Sequence, residues 1–147
     1  PFMKPLLANA ALKPSAAKVA EASAMAQDLL KLRFSTPLFR LGTADAINAK
    51  VSFPVSGTTD AHDGVIVMRI DDTRGVDADP RLKGLVVVFN ASASAVAQKV
   101  PGLSGRVTLS PVQTGGADAV VKASTWDAAS STLSVPARTV AVFVQPS

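Results

Sequence analysis

The chain has 147 residues and a 48% hydrophobic composition, which suits one packed domain and excludes a disordered chain. Residues 1–50 contain seven of the fifteen Lys and Arg residues and only three Asp and Glu residues. The net charge of +4 therefore comes entirely from this N-terminal third. These cations are too thinly spread for a nucleic-acid-binding face, and no apolar run is long enough to cross a membrane. We therefore expect neither a nucleic acid nor a membrane as partner.

The absence of cysteine excludes disulfides and thiolate chemistry. The N-terminus lacks the basic and apolar regions of a signal peptide. It begins abruptly at Pro1, and we expect the chain to be either processed or an excised part of a longer protein.

Residues 1–14 are predicted to be irregular, because they contain three prolines, and proline discourages helix in a residue that precedes it. Ser15 is a suitable N-cap for a helix over residues 16–34, which Pro37 ends. Apolar residues recur in this helix at spacings of three and four, so they share one face. They are Val19, Ala22, Met25, Ala26, Leu29 and Leu32. A second short helix is predicted over residues 44–49, with Thr43 as its cap.

After Lys50 the sequence consists of short β-type runs separated by turn residues. The runs are 51–55, 65–70, 85–89, 95–100, 106–109, 120–123, 124–126, 132–135 and 139–144. Runs 65–70 and 85–89 are nearly apolar throughout, which predicts central strands. The fold class is therefore mainly β, an antiparallel β-sandwich preceded by one amphipathic α-helix.

The best candidate for a metal site is a run of four aspartates, whose carboxylates are ligands that calcium prefers. They are Asp71, Asp72, Asp77 and Asp79. Their spacing does not match an EF-hand, and arginines lie close enough in sequence to pair with them, so we favour a charged connecting loop. His62 has no second histidine or cysteine to complete a zinc site, and we interpret it as a solvated loop residue. We expect no cofactor, with calcium as the one candidate ion.

Glycosidases need a pair of carboxylic acids beside the scissile bond, and nothing in the sequence marks such a pair. A sugar-binding surface would stack glucose units on exposed aromatic rings, and Trp126, beside Asp127, is the candidate for that role. A single tryptophan in a sandwich is more often packed than exposed. Phe53, Phe89 and Phe143 lie in strand-like runs and are predicted to be in the core.

Six segments, taken in order, resemble the end of the pullulanase-type debranching branch of the alpha-amylase superfamily. They are LLKLRFSTPLFRL at 29–41, Thr43 to Asp45, IVMRIDD at 66–72, LVVVFN at 85–90, LSPVQ at 109–113 and VPARTVAVFV at 135–144. The first is similar to the family's last barrel helix and the turn that follows it. The resemblance divides the chain into residues 1–41, the tail and last helix of a catalytic barrel, and residues 42–147, a C-terminal β-sandwich.

The resemblance implies a secreted or cell-surface parent enzyme that hydrolyses α-1,6-glucosidic bonds in pullulan and starch. Its catalytic residues belong to the barrel upstream, and none is carried over to this chain. The sandwich is expected to pack against the barrel of the same polypeptide and stabilise it; the alternative is a carbohydrate-binding module for α-glucans. The apolar stripe in residues 15–34 is expected to self-associate in this chain or to fold back on the sandwich.

Overall fold

A computed structural model describes residues 3–147 of the chain. Its N-terminal part is helical: α1 spans Met3–Ala8, α2 Ala16–Phe34 and α3 Ala44–Lys50, and 3-10 turns lie at Ala10–Leu12 and Pro37–Arg40. The prediction of an irregular segment over residues 1–14 was therefore wrong for α1 and the turn after it; Pro1 and Phe2 lie outside the described residues. Proline is tolerated in α1 because Pro5 lies in the first turn, where backbone N–H groups have no helical acceptor.

The predicted caps of the two longer helices are confirmed. The Ser15 hydroxyl accepts a hydrogen bond from the Lys18 N–H at 3.2 Å, and the Thr43 hydroxyl accepts one from the Ala46 N–H at 3.2 Å. Each cap satisfies an N–H group that the helix itself leaves without an acceptor. The sequence therefore fixes where these two helices begin.

Two antiparallel sheets follow the helices. The larger has the strand order β1-β2-β3-β8-β5 and the smaller the order β4-β7-β6, so the predicted runs at 65–70 and 85–89 become interior strands. The strands are β1 Val51–Ser52, β2 Val65–Asp71, β3 Leu82–Asn90, β4 Val96–Lys99, β5 Thr108–Leu109, β6 Thr125–Asp127, β7 Thr132–Val135 and β8 Thr139–Pro146. The predicted antiparallel sandwich with a preceding helix is confirmed.

Two predicted strand runs differ from the structure. Strand β1 ends at Ser52, because Pro54 has no N–H group to extend the pairing. Residues 120–123 contain a 3-10 turn at Val121–Ala123, because the Asp118 carboxylate accepts hydrogen bonds from the N–H groups of Val120 and Val121 at 2.8 and 3.4 Å. Local side-chain hydrogen bonds override the β-propensity of the two valines there.

Side chains of the five-stranded sheet alternate between two hydrophobic clusters. On β3, Val86 and Val88 point into the inner core, between the two sheets, while Leu85 and Val87 point into the outer core, beneath the helices. The inner core also contains Val67, Leu133, Val135, Ala141 and Phe143, and the outer core also contains Leu32, Leu38, Ile70 and Val142. The molecule therefore has three layers, with the five-stranded sheet in the middle.

Strand β5 pairs with only part of β8, and a side chain makes hydrogen bonds to the part that β5 does not reach. A short helix, α4, spans Pro111–Thr114, and the Gln113 amide in it donates to the Val140 carbonyl at 2.8 Å and accepts from the Val142 N–H at 2.7 Å. Gln113 thus makes the two hydrogen bonds that another strand residue would have made.

Two of the three phenylalanines predicted in the core are not buried there. Phe143 is buried in the inner core, as predicted, but Phe53 and Phe89 are exposed. Phe53 lies just beyond the short edge strand β1. Phe89 is at the end of β3, on the outer face, where the outer core does not extend.

Candidate docking surface

The last turns of α2 are held against the outer face of the five-stranded sheet. Leu32 is 7% exposed and packs in the outer core with Leu85, Val87 and Val142. Leu38, in the turn after the helix, is buried beside it. The prediction that the helix folds back on the sandwich is confirmed for Leu32.

A polar contact reinforces this packing one turn earlier. The Asp28 carboxylate accepts a hydrogen bond from the Ala117 N–H at 2.6 Å and pairs with Lys31 at 3.0 Å. The backbone hydrogen bond from Ala117, followed by that from Lys31, holds the pKa of Asp28 below its usual range. Asp28 therefore attaches the helix to the loop after α4.

A second polar contact attaches the end of the helix to the residues just before β3. The Arg81 guanidinium donates to the Ser35 carbonyl at 3.3 Å and pairs with the Asp79 carboxylate at 2.8 Å. The Arg81 hydrogen bond, helped by the Thr36 hydroxyl, lowers the pKa of Asp79 to about 2. These contacts fix the path of the chain between the helix and the sandwich.

The remainder of the predicted apolar stripe on α2 is not covered. Val19 is 54% exposed and Leu29 is 60% exposed, and Met25 is half-buried. The stripe thus has two parts: Leu32 belongs to the domain's own core, whereas Val19 and Leu29 present an apolar face to the surroundings. Self-association through residues 15–34 remains a prediction.

Each of the candidate metal-site aspartates Asp71, Asp72 and Asp79 pairs with a cation of the chain. Asp71 pairs with Arg69 at 3.5 Å and Arg74 at 3.4 Å, whereas Asp77 is exposed. Within residues 3–147, the acidic and histidine side chains form no group of three placed to hold a metal ion. The calcium site remains a prediction, and the pairing with arginines is the arrangement that the sequence favoured.

Sequence reasoning missed the most buried ion pair in this region. Lys50 and Asp72 are both buried, and their side chains meet at 2.7 Å. The Lys50 ammonium also donates to the Arg74 carbonyl. Burial raises the pKa of Asp72, but hydrogen bonds from Lys50 and from two backbone N–H groups outweigh it, so the net pKa is lowered. A lysine at the C-terminal end of a short helix gives no sequence signal of such burial.

The candidate sugar-binding residue Trp126 lies on β6 and is half-buried against the inner core. Its indole N–H donates to the Gly105 carbonyl at 3.2 Å. The ring is therefore held by packing and by a hydrogen bond, and part of it faces solvent. His62 is exposed in the loop between β1 and β2.

The chain is similar to pullulanases over nearly its whole length. It is 40% identical over 151 residues to pullulanase 1 of the Arabidopsis thaliana chloroplast, covering 99% of this chain and 16% of that protein. It is 35% identical to the pullulanase of Klebsiella pneumoniae, covering 90% of this chain and 12% of that protein. The chain thus spans less than a fifth of the curated relatives it matches.

A solved structure agrees with this similarity. The structure of apo pullulanase from Klebsiella pneumoniae has a TM-score of 0.79 at 30% identity, over 91% of this chain and 14% of that one. No helix in residues 3–147 is long and apolar enough to span a bilayer. Residues 1–146 match the family described as alpha-1,6-glucosidases, pullulanase-type, C-terminal. The chain therefore belongs to the family of C-terminal domains of pullulanase-type alpha-1,6-glucosidases.

Proposed function

We propose that this chain is a non-catalytic domain that stabilises the catalytic barrel of its own polypeptide, an enzyme that hydrolyses α-1,6-glucosidic bonds in pullulan and starch. The observation that carries this proposal is the divided stripe of α2. Leu32 is buried within the domain, whereas Val19 and Leu29 on the same helix are more than half exposed.

The exposed part of the stripe has an energetic reason to be covered. Burying a Val or Leu side chain completely contributes about 1.5–3 kcal/mol, so covering the exposed halves of Val19 and Leu29 contributes about 1 kcal/mol each. The contacts of Asp28, Leu32 and Arg81 hold the C-terminal turns of the helix in place, so the orientation of Leu29 is largely fixed before a partner covers it. A preorganised apolar face of this kind suits a permanent neighbour in the same polypeptide.

We propose the division into residues 1–41, as tail and last helix of the barrel, and 42–147, as sandwich. Residues 28–41, the end of that helix and the turn after it, act as the joint between the two, since Asp28, Leu32 and Leu38 contact the sandwich. A limited proteolysis experiment on the full-length enzyme tests this. Cleavage is expected upstream of residue 15, with residues 15–147 retained as one resistant fragment.

The relatives include a chloroplast protein and a bacterial protein. For this chain we propose a secreted or cell-surface location, in keeping with a polymeric substrate. Immunodetection of the full-length protein in the culture medium and surface fractions tests it; recovery only from the cytoplasm would contradict it.

A second candidate function is binding of α-glucan through Trp126, which the partly exposed ring on an edge strand favours. Affinity electrophoresis in maltodextrin gels tests it, with Trp126→Ala compared with the unchanged chain. Retardation that the substitution abolishes would make this a glucan-binding module, whereas unchanged mobility leaves the stabilising role.

Calorimetric titration with calcium, with Asp71→Asn as control, tests the predicted metal site in the same preparation.

The main experiment uses the full-length enzyme. Val19→Gln combined with Leu29→Gln removes the apolar face and places a good helix former at both positions. We expect the half-life of pullulan hydrolysis at elevated temperature to fall about tenfold, the factor that corresponds to about 1.4 kcal/mol. Val76→Gln is the matched control, because Val76 is 88% exposed in a loop remote in sequence from α2. Equal half-lives for both variants would refute the proposed role.

A further inference from the structure

Three apolar side chains form a row across the outer face of the five-stranded sheet. Ile66 on β2 pairs with Phe89 on β3, and Phe89 pairs with Val140 on β8. Their exposed fractions are 52%, 37% and 40%. Directly paired residues on neighbouring antiparallel strands have adjacent side chains, so these three form one continuous surface, the outer row.

The outer row lies at the end of the sheet that the helical segment leaves open. Leu32, Leu38 and Phe39 cover the half of the face around Leu85 and Val87. A groove of about 240 Å³ continues from there toward Phe89 and Val140, with Leu29 of α2 on its other side. A sheet face in contact with water is normally polar, so an apolar row in this position indicates a contact.

One arginine lines the same groove and a second lies near it. Arg33 is in the lining, and Arg40 stands over the ring of Phe34, the residue after Arg33, at 5.0 Å from its centroid. Neither arginine is within 4.0 Å of a carboxylate in the part of the chain that the structure describes. A partner that fits here therefore has an apolar centre flanked by carboxylates.

We propose that the outer row and its groove bind a second segment of the catalytic region of the same polypeptide, an apolar segment flanked by Asp or Glu. Two observations select this occupant. Leu29 belongs both to the groove and to the exposed stripe of α2, so one neighbour covers both surfaces without a break. The curated relatives extend far beyond this chain, which spans 16% and 12% of them. The inference rests on the proposed function, because it assigns a further contact to the same partner.

Carbene footprinting of the unmodified proteins tests the inference without any substitution. Labelling of Ile66, Phe89 and Val140 is expected to be at least about fivefold lower in the full-length enzyme than in this chain alone. Val76 is the internal control and is expected to be labelled equally in both. Equal labelling of the outer row in the two proteins would overturn the inference.

A matched pair of variants separates this contact from that of the helix. Ile66→Thr combined with Val140→Thr keeps β-branched residues and is expected to shorten the half-life of the full-length enzyme about fivefold, with Val76→Thr as control. If the helix variants shorten the half-life and these do not, the inference fails and the proposed function stands. If neither pair has an effect, both fail. If the outer row is protected only in a dimer of this chain, the occupant is a second copy and the inference is wrong.

Discussion

The two faces of the five-stranded sheet are covered in different ways. The inner face is covered by a second sheet, and Val86, Val88 and Phe143 on it are almost completely buried. The outer face is covered by one helix end and a turn, which bury Leu85 and Val87 but leave Phe89 exposed two residues further along the same strand. One strand therefore contributes side chains both to a fully buried core and to a face that is only partly covered.

Geometry explains the difference. Five strands about 4.8 Å apart span about 19 Å, whereas an α-helix with its side chains is about 10 Å wide. The three-stranded sheet is also only about 10 Å wide, but turns and loops extend its cover by placing Val55, Leu103 and Val107 in the inner core, whereas a single helix covers about half of the outer face. The uncovered half is the surface that we propose a further neighbour covers.

The largest expected effect comes from the inner core. Phe143→Ala removes a fully buried ring between the two sheets and is expected to reduce the free energy of unfolding by about 3–5 kcal/mol. Urea unfolding of this chain measures it. A loss below about 2 kcal/mol would mean that the inner core is less tightly packed than the structure indicates.

The covered part of the outer face is expected to respond less. Leu32→Ala should reduce the free energy of unfolding by about 2–3 kcal/mol, because Leu32 is buried but lies at the border of the outer core. Leu30→Ala, on the exposed side of the same helix, is the control and should change the stability by less than about 0.5 kcal/mol. Equal effects would mean that α2 does not pack on the sheet in solution.

The edge of β8 that is hydrogen-bonded by Gln113 provides a third test. Gln113→Ala leaves the Val140 carbonyl and the buried Val142 N–H without partners, and should cost about 2 kcal/mol. Gln145→Ala removes one exposed-site hydrogen bond, to the Ser104 carbonyl, and should cost less than about 1 kcal/mol. Hydrogen exchange at the Val142 amide should accelerate in the first variant alone.

The ion pair between Asp79 and Arg81, beside the outer face, is expected to weaken in acid. The pKa of Asp79 is about 2 in the folded chain and 3.8 when unperturbed, so its contribution is complete above about pH 4 and disappears as the pH falls toward 2. Because Arg81 is largely exposed, solvent reduces this contribution to about 1 kcal/mol. Urea midpoints between pH 6 and 2 measure it. Asp79→Asn should be less stable than the unchanged chain at pH 6 and equal to it near pH 2.

The smallest expected effect concerns the open half of the outer face. Ile66→Thr with Val140→Thr should change the stability of this chain by less than about 0.5 kcal/mol per site, since both residues are exposed at the surface. The thermal midpoint of the chain measures it. A large loss would place these side chains in the domain's own core and remove the difference between the two halves.

Local sequence patterns were sufficient to predict α2, its cap and the two central strands. Apolar spacings of three and four indicated the helix, Ser15 its cap, and short, nearly apolar runs the strands. These patterns were also sufficient to indicate an apolar stripe on the helix. They could not indicate that Leu32 is buried while Leu29 is exposed, since that depends on where the helix crosses the sheet. For the same reason Phe89 was expected in the core, and the pairing of Lys50 with Asp72 depends on contacts between distant residues.

The hydrogen bonds of the Gln113 amide affect how readily this chain associates with other copies of itself. An unpaired strand edge can recruit a strand from another molecule, the first step of domain swapping and fibril growth. In the part of β8 that β5 does not reach, the Val140 carbonyl and the Val142 N–H are already occupied by a side chain rather than by a strand. A side chain offers no new backbone edge, so the sheet stops growing there and the chain is protected from polymerising along this border.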